Sequence, residues 1–289
     1  MIESGTLRRK ADALRALHRP GHPIVFVNVW DCASARILEA GGAPAIATTS
    51  AGIAFSRGYP DGQRIPRNLM LEEVTRIAAS VSVPVTADLE SGYGSSPEAL
   101  ESLATDALEA GAVGLNLEDH VGPREAPLVD VALQLEKLKA LREASARRGV
   151  AVVINARTDA FLRGLGSPSE MFDETIRRGR AYRDEGADCV FVPGVTDAAV
   201  IGRLVREIDA PINVLAVAGS PPIADLARLG VARVSLGSGP ARAALTLLQR
   251  IAGELTHDGT YSALEGILPH ARVNELVANR ASSETLDPE

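Results

Sequence analysis

The chain has 289 residues, is 46% hydrophobic and 23% charged, and carries a formal net charge of −7. That size suits one large α/β domain, and the negative balance argues against nucleic acid as the main partner, because phosphate binding needs clustered Lys and Arg. Two cysteines far apart in sequence, Cys32 and Cys189, make no disulfide framework and fit a reducing cytoplasm.

The N-terminal stretch MIESGTLRRKADALRALHRPG reads as an amphipathic helix without the apolar centre of a signal peptide. No apolar run is long enough to span a bilayer, so no membrane contact is expected. Short apolar runs then alternate with helical patterns. The runs are Ile24–Val29, Ala45–Thr49, Val83–Leu89, Val113–Leu117, Ala151–Ala156, Asp188–Val192, Pro211–Ala216 and Ala232–Leu236. Each is nearly continuous in apolar residues, as strands buried on both faces are. Helical patterns cover Asn68–Ser80, Ser96–Ala110, Asp130–Arg148, Ser169–Glu185 and Asp197–Ile208. Gly111, Gly149, Gly186 and Gly230 stand just before a strand, where a left-handed residue closes a helix. This repeat predicts a TIM (β/α)8 barrel over about 24–253 in a single domain. A doubly wound sheet is disfavoured, since no G-x-G-x-x-G follows the first strand. The extension 254–289 holds one more helix candidate, Ala271–Arg280, and a polar end, Ala281–Glu289, expected to be disordered.

The active site of such a barrel lies at the C-terminal strand ends, and here those ends are polar. The first finishes at Asn28, Trp30 and Asp31. The second runs into Thr48-Thr49-Ser50-Ala51-Gly52 and a loop holding Asp61. The third, inside VPVTADLESGYG, ends in Asp88 and Glu90; residues two apart in a strand share a side, so both carboxylates are expected at one spot. The fourth supplies Asn116, Glu118, Asp119 and His120, and the fifth Asn155, Arg157 and Asp159. Pro193-Gly194, Asn213 and Gly237-Ser238-Gly239 complete the set. Hard divalent cations favour oxygen ligands, so Asp88, Glu90 and Glu118 are candidate ligands of a metal that polarises a substrate oxygen. Arg157 can grip a carboxylate, and the Thr49-Ser50-Ala51-Gly52 turn can offer N–H groups to another anionic oxygen. Plainer roles stand beside these. Asp61 suits a turn, Arg157 an internal ion pair, Cys32 a small buried side chain, and Gly237–Gly239 a tight turn into the last helix.

TTSAGIA…GYPDG, ADLESGYG, GLNLED and INARTDAF, in this order and spacing, resemble the isocitrate lyase/phosphoenolpyruvate mutase superfamily from roughly Ile24 to Gly239. The resemblance implies a barrel enzyme that uses Mg²⁺, with Mn²⁺ as the alternative ion. Its substrates would be 2-oxo acids, 2-hydroxy dicarboxylates or their phosphonate relatives, handled through enolate-like intermediates. It also implies a last barrel helix exchanged between subunits in a homo-oligomer, a dimer of dimers. Position by position, it implies Asp88, Glu90 and Glu118 around the metal, partly through waters. It places Asp61 facing the substrate, Thr49, Ser50 and Ala51 holding a carboxylate or phosphonate, Arg157 at the fifth strand end, and Trp30 and Asp31 near the ligand.

The departures narrow the function. Glu118–Leu128 lacks the cysteine of the lyases' K-K-C-G-H loop and the lysine of the mutase loop, and it looks short. Val192-Pro193-Gly194 lacks both the mutase histidine and the lyase glutamate. The expected activity is a Mg²⁺-dependent lyase cleaving or decarboxylating a small 2-oxo or 2-hydroxy (di)carboxylate. Asp61, Arg157 and His120, whose pKa lies near neutrality, are the catalytic candidates. Asn213 is a further substrate contact if the strand register turns it inward. A P–C bond enzyme and a non-catalytic 2-oxo acid binder are the alternatives.

Overall fold

The computed structural model describes residues 3–122 and 126–278. Eight parallel strands appear where the eight apolar runs lie: β1 Ile24–Phe26, β2 Ile46–Ala47, β3 Val85–Asp88, β4 Gly114–Glu118, β5 Val153–Arg157, β6 Cys189–Val192, β7 Ile212–Leu215 and β8 Arg233–Ser235. They follow in the order β1-β8-β7-β6-β5-β4-β3-β2. A bridge between Val29 and Thr48 joins the two outer members, with Val29 N–H donating to Ala47 O at 2.9 Å and Thr49 N–H to Val29 O at 2.9 Å. The sheet is thus a nearly closed barrel, the arrangement that leaves little strand edge exposed.

The helices are α1 Ser4–Ala16, α2 Cys32–Ala40, α3 Ser50–Ser56, α4 Arg67–Ser80, α5 Pro97–Glu109, α6 Val131–Arg147, α7 Ala160–Arg163, α8 Pro168–Asp184, α9 Ala198–Ile208, α10 Ile223–Arg228, α11 Gly239–His257 and α12 His270–Ala278. All five helical patterns are present. Gly111, Gly149, Gly186 and Gly230 all take positive φ, between 72° and 91°, so their peptide groups can end the preceding helix without a Cβ clash. A helix not anticipated, α2, starts on a reciprocal cap: Asp31 accepts from Ser34 N at 2.7 Å, and Ser34 Oγ receives the Asp31 N–H at 3.3 Å. Asp31 is therefore a helix cap. Cys32, the first residue of that helix, is half-buried, not fully enclosed. The polar end Ala281–Glu289 and the centre of the Glu118–Leu128 loop lie outside the described residues.

α1 buries Leu7, Ala11 and Leu14. α11 does the reverse. It buries only Ala241 and leaves Leu245, Leu247, Leu248 and Leu255 exposed, Leu248 at 61%. The outward residues of β1 and its following turn, Val25 and Val27, are correspondingly 40% and 38% exposed. α11, the helix that follows β8, leaves its own barrel wall largely uncovered. No helix among the described residues is long and apolar enough to cross a membrane.

Candidate active site

The C-terminal strand ends surround a cavity of about 270 Å³. Its wall contains Thr49, Ser50, Ala51, Asp61, Asp88, Glu90, Glu118 and Arg157, so eight predicted site residues meet at one place. Asn28, Asn116 and Ser235 form part of the same lining, as do Arg163, Ser238 and Arg242.

Asp88 and Glu90 converge for a different reason from the one expected. β3 stops at Asp88, so strand alternation does not carry on to Glu90. Glu90 instead has φ 52°, in the left-handed region, and Tyr93 has φ 56°. Each such non-glycine residue costs on the order of 1 kcal/mol or more and persists only where its surroundings hold it. The holding groups are visible. Gln63 Oε1 accepts from Ser91 Oγ at 2.6 Å and from Tyr93 N at 3.3 Å, and Lys137 Nζ donates to Ser91 O at 2.6 Å. Glu118 N–H closes the turn onto Glu90 O at 2.9 Å. The turn that ends the third strand is thus clamped by the loop after β2, by α6 and by β4.

The acids repel one another. Burial, then Asp88 and Asp61, push the Glu90 carboxyl up to about 8. Burial also raises Glu118, while Arg157 pulls it back. Arg157 Nη1 lies 2.7 Å from Glu118 Oε2. Its Nε and Nη2 meet the two oxygens of Asp159 at 2.6 and 2.9 Å. Burial pushes Asp159 up, but Arg157 and Arg163 hold it below the usual carboxylate range. Arg157 is therefore both a cavity residue and the centre of a buried ion-pair network. Ser50 is also engaged: its N–H and Oγ both donate to Asp88 Oδ2, at 3.1 and 2.7 Å. The Ser50 N–H of the anticipated anion-binding turn thus orients a carboxylate. Asp61 sits at the exposed rim, its Oδ1 accepting from Gly62 N at 2.8 Å.

Three predicted residues do not line the cavity. Trp30 is half-buried against Gly52, with its N–H donating to Ser34 Oγ at 3.3 Å. His120 is buried beside Asp159. Asn213 is fully buried, accepting from Ser235 Oγ at 3.2 Å. Asp119 likewise stands behind the wall, receiving Tyr182 Oη at 2.6 Å and Arg178 Nη1 at 3.1 Å. After β6, Gly194 has φ 88°, and a Cβ there would lie 2.7 Å from the Leu162 backbone. A residue with a side chain at Gly194 would be strained and would collide with that backbone.

Sequence reasoning missed Arg163 and Arg242. Both lie on helices that follow strands, not at the strand ends themselves. Arg242, in the first turn of α11, is bonded through its backbone to Ser238 and Thr246, while its guanidinium has no ion-pair or hydrogen-bond partner among the described residues and faces the mouth.

The donor set suits a hard divalent ion: three carboxylates on one wall, with the Glu90 and Glu118 carboxyls raised by burial first and then by the neighbouring acids. Among the described residues no group of three acids or imidazoles encloses a single point. An ion here would be reached partly through water, as Mg²⁺ commonly is.

The family model described as phosphoenolpyruvate phosphomutase matches residues 14–256. The chain belongs to this family, within the isocitrate lyase/phosphoenolpyruvate mutase superfamily. An uncharacterised protein of Mycobacterium tuberculosis strain H37Rv is 39% identical over 230 residues, which cover 79% of this chain and 83% of that one. Oxaloacetate acetylhydrolase, solved with its product oxalate, superposes with a TM-score of 0.82 at 27% identity, over 94% of this chain and 95% of the other. Phosphonopyruvate hydrolase, solved with oxalate and Mg²⁺, gives 0.80 at 26% identity, over 94% and 96%.

Proposed function

We propose that this chain is a Mg²⁺-dependent lyase that cleaves or decarboxylates a small 2-oxo or 2-hydroxy dicarboxylate. One observation carries the reading. Carboxylates from β4 and from the end of β3 share a cavity with Arg242, whose guanidinium has no partner among the described residues. Asp88, Glu90 and Glu118 would hold the ion, in part through water. The bound ion supplies an electron sink for the carbonyl oxygen of the substrate. The chain's own groups do the rest. Arg242 binds the far carboxylate at the mouth. Asp61, at the rim, takes up or returns a proton. Ser50 fixes Asp88, and Gln63 and Lys137 hold the Glu90 turn.

Among the described lining residues there is no cysteine, histidine or lysine. That set favours a reaction needing no covalent nucleophile, and oxaloacetate is the first substrate to test. The test is incubation of oxaloacetate, 2-hydroxy dicarboxylates and phosphonopyruvate with and without Mg²⁺, followed by proton and phosphorus NMR. Metal-dependent loss of a dicarboxylate, abolished by Asp88→Ala and by Glu118→Ala, is expected. Full activity in both variants would remove the reading. Phosphorus signals from phosphonopyruvate turnover would favour P–C chemistry, which the resemblance to phosphonopyruvate hydrolase keeps open. Binding of a 2-oxo acid without any product would favour a non-catalytic binder.

In the same reading α11 packs on the barrel of a second copy, and the working form is a homo-oligomer. The exposed leucines of α11 and the uncovered Val25 and Val27 support this.

A further inference from the structure

Arg233 of β8 turns into the barrel and is 1% exposed. A sealed cation is costly unless paired, yet its hydrogen-bond partners are all neutral. Nε donates to Ser235 Oγ at 3.5 Å, Nη1 faces His18 Nε2 at 3.4 Å, and Nη2 donates to Asn116 Oδ1 at 3.5 Å. His18 arrives from just beyond α1. Its Nδ1 lies 2.9 Å from Leu14 O, and burial, then the charge of Arg233, hold its imidazole down to about 4. The ring is neutral, so Nδ1–H donates to the carbonyl and Nε2 accepts from Arg233.

Asn116 links this cation to the cavity. Its Oδ1 receives Asn155 Nδ2 at 2.7 Å as well as Arg233. With the oxygen held from below, the amide NH₂ faces up and donates to Asp88 Oδ1 at 3.4 Å. The other Asp88 oxygen is held by Ser50. A flipped Asn116 would aim its carbonyl at a carboxylate, so the groups beneath it decide how Asp88 is held.

We propose that Arg233 is a positioning residue, a buried counter-charge that orients Asp88 through the side chain of Asn116. This rests on the reading that Asp88 helps to hold a divalent cation. Groups that orient a metal ligand from behind commonly change metal affinity tenfold to a hundredfold.

The experiment is a double-mutant cycle on the full chain without substrate. Wild type, Arg233→Met, Asn116→Leu and the double variant are titrated with Mg²⁺ by calorimetry, and their folds are compared by near-ultraviolet circular dichroism. Each single change should weaken Mg²⁺ about tenfold, and the double variant should be no weaker than the weaker single, because both remove one connection. A purely structural role would lower the melting temperature and leave the Kd alone. A folded Arg233→Met with wild-type Kd, or effects that multiply in the double variant, overturns the proposal. If Arg233→Met does not fold, Arg233→Lys replaces it in the cycle. Lysine keeps the charge but loses the fork that reaches Asn116, so the same non-additive loss is expected and a wild-type Kd overturns the idea. Absence of Mg²⁺ binding by the wild type would instead sink the functional reading, and this proposal with it.

Discussion

Glu118 and Arg157 are register partners across β4 and β5, and their charged groups meet at 2.7 Å inside the cavity wall. Arg157 also holds both oxygens of Asp159. One cation therefore serves two buried carboxylates before any ligand arrives. Removing one partner of such a pair costs about 3–5 kcal/mol, because the other charge is left buried and alone. Arg157→Met should lose stability on that scale in urea unfolding. Mg²⁺ should restore part of it by supplying the missing charge. An Arg157→Met variant as stable as wild type would show that the network is solvated and not sealed.

A second expectation concerns pH. Glu90 is raised to about 8 in the folded chain, against about 4.3 in an unfolded one. Between those values the folded chain holds a proton that the unfolded chain lacks. The stabilisation is complete below the lower value and is lost as pH rises towards the upper one. The metal-free protein should therefore lose stability over that window, measured by thermal melts. At pH 7 Mg²⁺ must displace this proton, so binding should release protons. Calorimetric titrations in two buffers of different ionisation heat measure the release; equal apparent heats would contradict it.

The third concerns Arg242. A hydrogen bond to a charged group contributes about 1.5–3 kcal/mol, so Arg242→Met should raise KM for a dicarboxylate roughly tenfold to a hundredfold. A monocarboxylate such as pyruvate, used as a competitive ligand, should bind both forms alike. Steady-state kinetics with an inhibition series decide between this and a role confined to the α11 helix.

The fourth concerns association. Leu245 and Leu248 are 51% and 61% exposed. Replacing both with glutamate should abolish any apolar contact made by this helix face. Sedimentation velocity should then show a smaller species than wild type. An unchanged species would place the contact elsewhere.

Much of this was legible in the chain. Strands covered on both sides leave apolar runs, and eight such runs are enough to give the barrel and the place of its mouth. The acids at those ends were legible too. The route by which Glu90 reaches the cavity was not, because a left-handed turn at a glutamate leaves no periodic trace. α2 was hidden because Asp31 looks like a strand-end residue near the ligand until its reciprocal cap with Ser34 is seen. Arg242 was missed because it follows the strand by a helical turn. Arg233 was missed because one arginine inside the run Ala232–Leu236 does not say which way it points. Trp30, His120 and Asn213 sit at the expected heights in sequence, but the structure packs them against Gly52, Asp159 and Ser235 and outside the cavity lining.

Helix α11 has a divided allegiance. Its first turn brings Ser238 and Arg242 to the cavity mouth, while its later turns present bare leucines outward. In the proposed homo-oligomer, the copy that shelters those leucines would also steady the residues that greet the ligand. Specific activity should consequently fall as the protein is diluted, long before the barrel itself unfolds.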